Sequence, residues 1–168
     1  SSAASDVYKR QDVYWSYCNG KNNFNKLANV PKSQKYADKN LNNKKEYKYF
    51  TVAYKMSGGK KVYLGRTNTV HVAMPYAAKT NVLKVTVNKT KVNLAKGKTF
   101  KITKKVKLEN SKKKALNHLT KKERFITSNA KVATVSSAGV IKAVRKGTCT
   151  IYVMSENGVC AKIKVTVK

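Results

Sequence analysis

Apolar and polar side chains alternate along most of this chain with a period of two, the mark of β-strands with one buried face. The alternation is clearest from Val82 onward. There VLKVTVNKTKVNLAKGKTFKITKKVKL sets apolar residues against lysines over several short strands, broken at Asn88-Lys89 and at Ala95-Lys96-Gly97. Residues 109–121 are polar and lysine-rich and predict a loop. Extended structure resumes at Arg124-Phe125-Ile126-Thr127, Ser128-Asn129 starts a turn, and Val132-Ala133-Thr134-Val135 is a strand. Ala138-Gly139 turns the chain into residues 140–144, Lys146-Gly147 turns it into TCTIYVMS, and Asn157-Gly158 closes a hairpin onto VCAKIKVTVK. Short strands at this spacing, separated by Gly and Asn turns, argue for an all-β sandwich.

The first half reads differently but is also extended. DVYWSYC is rich in aromatic and β-branched types and ends at Asn19-Gly20, a hairpin signal. NFNKLANV stops before Pro31, KYADKNL is short and extended, and KEYKYFTVAYKM is the strongest strand of this half. SGGK is a turn, and KVYLGRTNTVHVAM is a last strand with a bulge or bend at Gly65. PYAAKTN, residues 75–81, reads as a linker. Alternation places Trp15 with Val13 and Tyr17 on the core face, which leaves Tyr14 as the better candidate for an exposed contact. On the main strand Phe50 and Val52 share one face, and Tyr49, Thr51 and Ala53 the other; the core is expected from Tyr47, Tyr49 and Ala53.

Charge narrows the partners. The net charge is +30, from 37 basic and 7 acidic residues. Only Arg10, Arg66, Arg124 and Arg145 are arginines, so the coat is lysine. Lysine is a hydrated point charge without the fork that reads phosphate and base edges, which argues against sequence-specific nucleic-acid recognition. The lysines at alternating strand positions form a solvated face that guards sheet edges, and the field attracts polyanions at low salt. Residues 82–168 carry 22 bases and 3 acids, and the charge is spread along the chain rather than gathered in one arm.

Reactive chemistry is sparse. The acids are scattered, and neither His71 nor His118 has a motif linking it to a serine or cysteine. Catalytic, cofactor-binding and metal-binding residues are therefore expected to be none, and no cofactor is implied. Ser57-Gly58-Gly59-Lys60 is a turn between strands, not a phosphate loop. Calcium needs several oxygen ligands that this acid-poor chain does not cluster. Cys18, Cys149 and Cys160 show no metal spacing. A two-residue Asn157-Gly158 turn would set Cys149 opposite Thr166 and Cys160 opposite Ser155, too far apart for a disulfide. Cys149 then reads as a core residue, and Cys160 and Cys18 as exposed thiols. No apolar run approaches the ~20 residues needed to cross a bilayer.

Two resemblances sharpen this. Val13-Tyr14-Trp15-Ser16, Tyr36, Leu41 with Tyr47, Ala53 and Gly65 resemble the back two-thirds of a fibronectin type III module over residues 12–74. The resemblance implies that the module is incomplete, lacking its first two strands, and that Tyr47 makes a phenol-to-backbone hydrogen bond at a tyrosine corner. Leu94, Gly97, Phe100, Ser128-Asn129, Val132-Ala133-Thr134-Val135, Gly139, Ala143, Gly147-Thr148, Ile151, Asn157-Gly158 and Val165-Thr166-Val167 resemble a bacterial Ig-like module of group 2 over residues 82–168. The opening SSAASDVYKRQ, residues 1–11, resembles a translated sequencing-linker scar and is set aside from the fold.

The expectation is an all-β protein of two tandem β-sandwich modules, the first incomplete, joined by residues 75–81. The resemblances imply a non-catalytic fragment of an exported bacterial surface or secreted protein, with its export signal upstream. It would serve as spacer, adhesion element or docking module, with weak attraction to an anionic cell-wall polymer or extracellular glycan, and would contact neighbouring domains of its parent. The alternative is the accessory tail of a secreted hydrolase whose catalytic domain lies upstream.

Overall fold

The structure, a computed structural model, describes residues 9–31, 34–118 and 123–168. Among these residues the chain forms strands and turns and no helix, as the alternation predicts. It divides into two compact units, the first ending at Ala78 and the second beginning at Lys79.

The first unit is one antiparallel sheet. Its strands are β1 (Lys9–Tyr17), β2 (Asn25–Pro31), β3 (Glu46–Ser57), β4 (Lys60–Arg66) and β5 (Val70–Ala73), in the order β2-β1-β3-β4 with β5 also on β3. The long strand β3 is shared lengthwise, because β4 pairs with residues 52–57 and β5 with residues 46–49. The expected single strand over residues 61–74 is therefore two. Thr67 marks the break: its N–H donates to the Thr51 carbonyl, and its hydroxyl accepts the Thr51 N–H, both at 3.0 Å. The bulge expected at Gly65 is present, with Leu64 as the extra residue opposite Ala53 and Tyr54.

Three expectations for this unit are corrected. Residues 9–11 belong to β1 and pair with Ala53, Tyr54 and Lys55, because β3 extends far enough to offer ladder positions to any backbone that reaches them. The rest of the opening tail, residues 1–8, lies outside the described residues. Residues 34–39 form no strand, and Asn40 takes a left-handed conformation at φ 61°. The Asn19-Gly20 signal opens a longer connection over residues 18–24 rather than a tight turn. The buried Lys48 holds that loop by donating to the Lys21 carbonyl and to Asn22 Oδ1.

The second unit is the sandwich. It comprises β6 (Lys79–Thr80), β7 (Val82–Val87), β8 (Lys91–Leu94), β9 (Thr99–Lys101), β10 (Lys104–Leu108), β11 (Lys114–Ala115), β12 (Glu123–Thr127), β13 (Ala133–Val135), β14 (Val140–Ala143), β15 (Gly147–Ser155) and β16 (Cys160–Val167). One layer is the four-stranded sheet β12-β15-β16-β8, in which β8 runs parallel to β16. The others are the three-stranded sheet β13-β14-β9, the ribbon β10-β7 and the short parallel pair β11-β6. A single apolar cluster joins the first three: Val85, Val92 and Ile102 with Ala133, Ile141, Cys149, Ile151, Val153, Ile163, Val165 and Val167 among its members. Every second residue of β15 and β16 points into it, which is the period of two turned into burial.

The final hairpin differs from the expected register by one residue. Ser155 N–H donates to the Val159 carbonyl at 2.9 Å, and Gly158 N–H donates to the Ser155 carbonyl at 3.1 Å. The loop is thus Glu156-Asn157-Gly158, and only Gly158 has positive φ, at 85°. A two-residue turn would need Asn157 left-handed as well; three residues need only the glycine. Tertiary contact decides it, because the Asn157 side chain bonds both backbone groups of Val82, at 3.1 and 2.9 Å. Cys149 therefore lies opposite Val165, and Cys160 opposite Met154. Cys149 is core, as expected, but Cys160 and Cys18 are half-buried rather than exposed.

Two segments expected to lack structure are partly ordered into the second unit. The lysine-rich stretch 109–121 contains β11, and Leu116 is buried, its N–H donating to the Thr80 carbonyl at 3.1 Å. Among its described residues Ala115 and Leu116 are the apolar ones, and the buried Leu116 anchors it; residues 119–121 lie outside the described residues. Residues 75–81, read as a linker, include β6, with Thr80 and Asn81 buried.

Candidate interaction surfaces

Three places in the fold gather the residues singled out in the sequence. The first is the outer face of the four-stranded sheet. Inward positions of β15 and β16 are filled by core residues, so the alternate positions face solvent. Register sets Tyr152 opposite Lys162, Thr150 opposite Lys164, and Lys164 in turn opposite Lys91 of β8. Lys91, Lys162 and Lys164 are all exposed, and Lys162 Nζ lies 5.8 Å from the Tyr152 ring centre. No carboxylate lies within 4.0 Å of these lysines among the described residues. Two acids of this unit have other partners. Glu109 accepts from the Asn81 amide at 2.9 Å, and the buried Glu156 accepts the His118 N–H at 3.0 Å. Opposed lysines recur elsewhere: Lys84 faces Lys107 on the β10-β7 ribbon, Lys79 faces Lys114 on the β11-β6 pair, and Lys9 faces Lys55 in the first unit.

The second place is the Asp12 cluster. Asp12 is 4% exposed at the centre of the first sheet. Asn29 of β2 donates to its Oδ1 at 2.5 Å and to the Tyr54 hydroxyl at 2.6 Å. Lys26 approaches Oδ1 at 3.0 Å and Lys61 approaches Oδ2 at 2.9 Å. One carboxylate thus ties β2 and β4 to β1, with Tyr54 of β3 inside the same network. Burial pushes the Asp12 carboxyl up, but the hydrogen bonds from Asn29, Lys61 and Lys26 outweigh it and hold it at about 2. The folded pKa lies below the ordinary 3.8, so the stabilisation is complete above that value and is lost as pH falls towards 2. The first unit is expected to lose about 2 kcal/mol across this window. Trp15 fluorescence, followed through urea unfolding at each pH, reports it. Asp12→Asn should flatten the acid slope; an unchanged slope in that variant would remove Asp12 from the account.

The third place is the aromatic surface of the first sheet. Tyr47 is 2% exposed, and its phenol oxygen accepts the Asn42 N–H at 2.9 Å, the bond expected of it. Trp15 is half-buried, edge-on to Tyr17 with ring centres 5.2 Å apart. Tyr49 donates to Asp38 Oδ2 at 2.7 Å, and burial together with that carboxylate pushes its phenol up. On the opposite face Tyr14 is not free. It stacks on Phe50 at 5.0 Å, Phe24 meets the Phe50 ring at 4.7 Å, and the Arg66 guanidinium sits 3.8 Å from the same ring centre. Phe50 is thus covered within its own unit. Among the described residues the most exposed aromatics are Tyr63 and Tyr76, at 64% and 72%, which alternation alone did not nominate.

The titratable residues do not converge. His71 is buried in β5 opposite Lys48, and His118 is half-buried at the end of the β11 segment. Among the described residues no group of three or more His, Cys, Asp or Glu is placed to hold a metal ion. No described helix is long and apolar enough to cross a membrane. An apolar cleft of about 260 Å³ is lined by Val82, Val106, Leu108, Ala115, Leu116, Glu156 and Asn157.

Comparison with curated proteins returns no match. Among solved structures, the chain is similar to the S-layer protein rSbsC(31-844) at 20% identity, over 72% of this chain and 16% of that one, with a TM-score of 0.43. It is similar to domains 4 and 5 of the S-layer protein SbsC at 19% identity, over 70% and 57% of the two chains, with a TM-score of 0.42. It is also similar to the C-terminal 282-residue fragment of intimin, solved in complex with the intimin-binding domain of the translocated intimin receptor. That match has 14% identity over 98% and 53% of the two chains, with a TM-score of 0.32. The chain spans less than two thirds of each of these structures. The model of the bacterial Ig-like domain (group 2) family matches residues 81–167, more than half of the chain and nearly all of its second unit. Through that sandwich, the protein belongs to the bacterial Ig-like domain (group 2) family.

Proposed function

We propose that this chain is a non-catalytic segment of an exported bacterial surface or secreted protein. It acts as a spacer, adhesion element or docking module with a diffuse attraction to anionic cell-wall or extracellular polymers. One observation carries the reading: the family's shared residues are spent on turns and core, while residues 82–168 present 22 bases against 3 acids, with lysines at the outward strand positions. Association with an anionic polymer is expected at low salt and should disappear near about 0.5 M salt, where screening is complete within a few ångströms. Pull-down on a poly(glycerol phosphate) matrix across a salt series measures it. Retention that ignores salt would point instead to a shaped carbohydrate site.

The first unit is, in this reading, a partial fibronectin type III-like module. Its support is the Tyr47–Asn42 bond and a single five-stranded sheet with no second sheet described in that unit. Limited proteolysis is expected to cut within residues 12–74 before it cuts within 82–168. Equal resistance of the two halves would count against an incomplete module.

A further inference from the structure

A sheet face of lysines without acids is unfavourable unless something anionic meets it. Lys91 and Lys164 stand directly opposite each other on β8 and β16, and both are exposed. Like charges at opposed positions destabilise a sheet. Lys162 lies two residues along on the same face, and the neighbouring outward positions are Thr148, Thr150, Tyr152, Thr166 and Asn93, none of them acidic. The ring of Tyr152 is half-buried beside Lys162 and offers no open stacking platform.

The spacing selects among anions. Lys162 and Lys164 are separated by two residues of extended backbone, about 6.6 Å. A glycerol-phosphate chain has as many backbone bonds between successive phosphorus atoms as two residues of polypeptide have between successive side chains on one face. An extended chain of that kind lying along β16 meets successive lysines with successive phosphates. Lys91, one strand away at about 4.8 Å, supplies a second ammonium to the phosphate at Lys164. Single-stranded nucleic acid shares this phosphate spacing, but its binders stack bases on exposed rings, which this face lacks. Lysine, a point charge indifferent to approach direction, suits a flexible phosphodiester.

We propose that the outer face of the four-stranded sheet, centred on Lys91, Lys162 and Lys164, is a binding site for a linear polyol-phosphate polymer. This deepens the proposed function and rests on it. The test is affinity of the full chain for poly(glycerol phosphate) at about 50 mM salt, where phosphate contacts are strong. Two triple variants are compared, each losing three positive charges. Lys91→Gln with Lys162→Gln and Lys164→Gln is expected to lose about tenfold in affinity. Lys98→Gln with Lys131→Gln and Lys142→Gln, at exposed positions on β14 and in the turns before β9 and β13, is expected to lose less than about twofold. Equal losses overturn the site and leave diffuse attraction standing. No binding by the wild-type chain overturns both readings. Tighter binding of heparin or of a mixed-sequence single-stranded oligonucleotide overturns the polymer class. Thermal melts guard against misfolding. Lys91→Gln alone should raise the melting temperature by relieving the opposed charges, and should reduce the polymer's stabilising shift; a lowered melting temperature would remove the premise.

Discussion

Ile163→Ala is expected to destabilise the second unit by about 3 kcal/mol, the usual cost of deleting a fully enclosed branched side chain and leaving the cavity open. Ile163 is 0% exposed and pairs across the strands with Ile151, also 0% exposed, in the middle of the only apolar layer that joins the sheets of this unit among the described residues. The loss combines the transfer term for the missing carbons with the poor ability of a β-sandwich centre to collapse, because both sheets are held apart by their own ladders. For a domain of this size it should lower the melting temperature by about 15 °C. Lys162→Ala, one residue earlier and facing out, should change stability by less than about 0.5 kcal/mol. Hydrogen exchange of β15 and β16, read by mass spectrometry, separates this unit from the first. Similar effects at 162 and 163 would mean that the period-two burial of β16 is wrong.

Gly147→Ala should be nearly as costly, for two distinguishable reasons. Gly147 opens β15 with φ at 148°, a conformation that side chains with a Cβ rarely adopt. An added Cβ would also lie 2.9 Å from Val132 Cγ2, and Val132 is itself a buried core residue. Backbone strain of about 1–3 kcal/mol and overpacking of about 1–3 kcal/mol both apply. A double-mutant cycle with Val132→Ala separates them. The steric part should be relieved, giving a favourable coupling of about 1 kcal/mol, while the backbone part remains. Strict additivity would leave the clash with no role and place the whole cost in the backbone.

Much of this was legible in the chain, and the exceptions share a cause. Alternation is a local property: successive side chains of an extended backbone point to opposite faces, so Cys149, Ile151 and Val153 declare a common core face wherever β15 is placed. Turn chemistry is equally local, and it marked the Ser57–Lys60 hairpin, the Gly65 bulge and the hairpin at Asn157-Gly158. Pairing between distant strands is not local. The one-residue change of register in the last hairpin followed from the Asn157 side chain reaching Val82, and residues 9–11 became strand because β3 offered them a ladder. The Asp12 network unites four strands whose members show no shared pattern in sequence. Leu116 looked like one apolar residue in a lysine-rich loop until Thr80 was there to receive its N–H. For the candidate binding face, the sequence by itself determined that lysines would point outward. Only the tertiary structure decided that Lys91 would stand beside Lys164, since closing the core is what brings β8 alongside β16 and thereby selects which of many outward charges become neighbours.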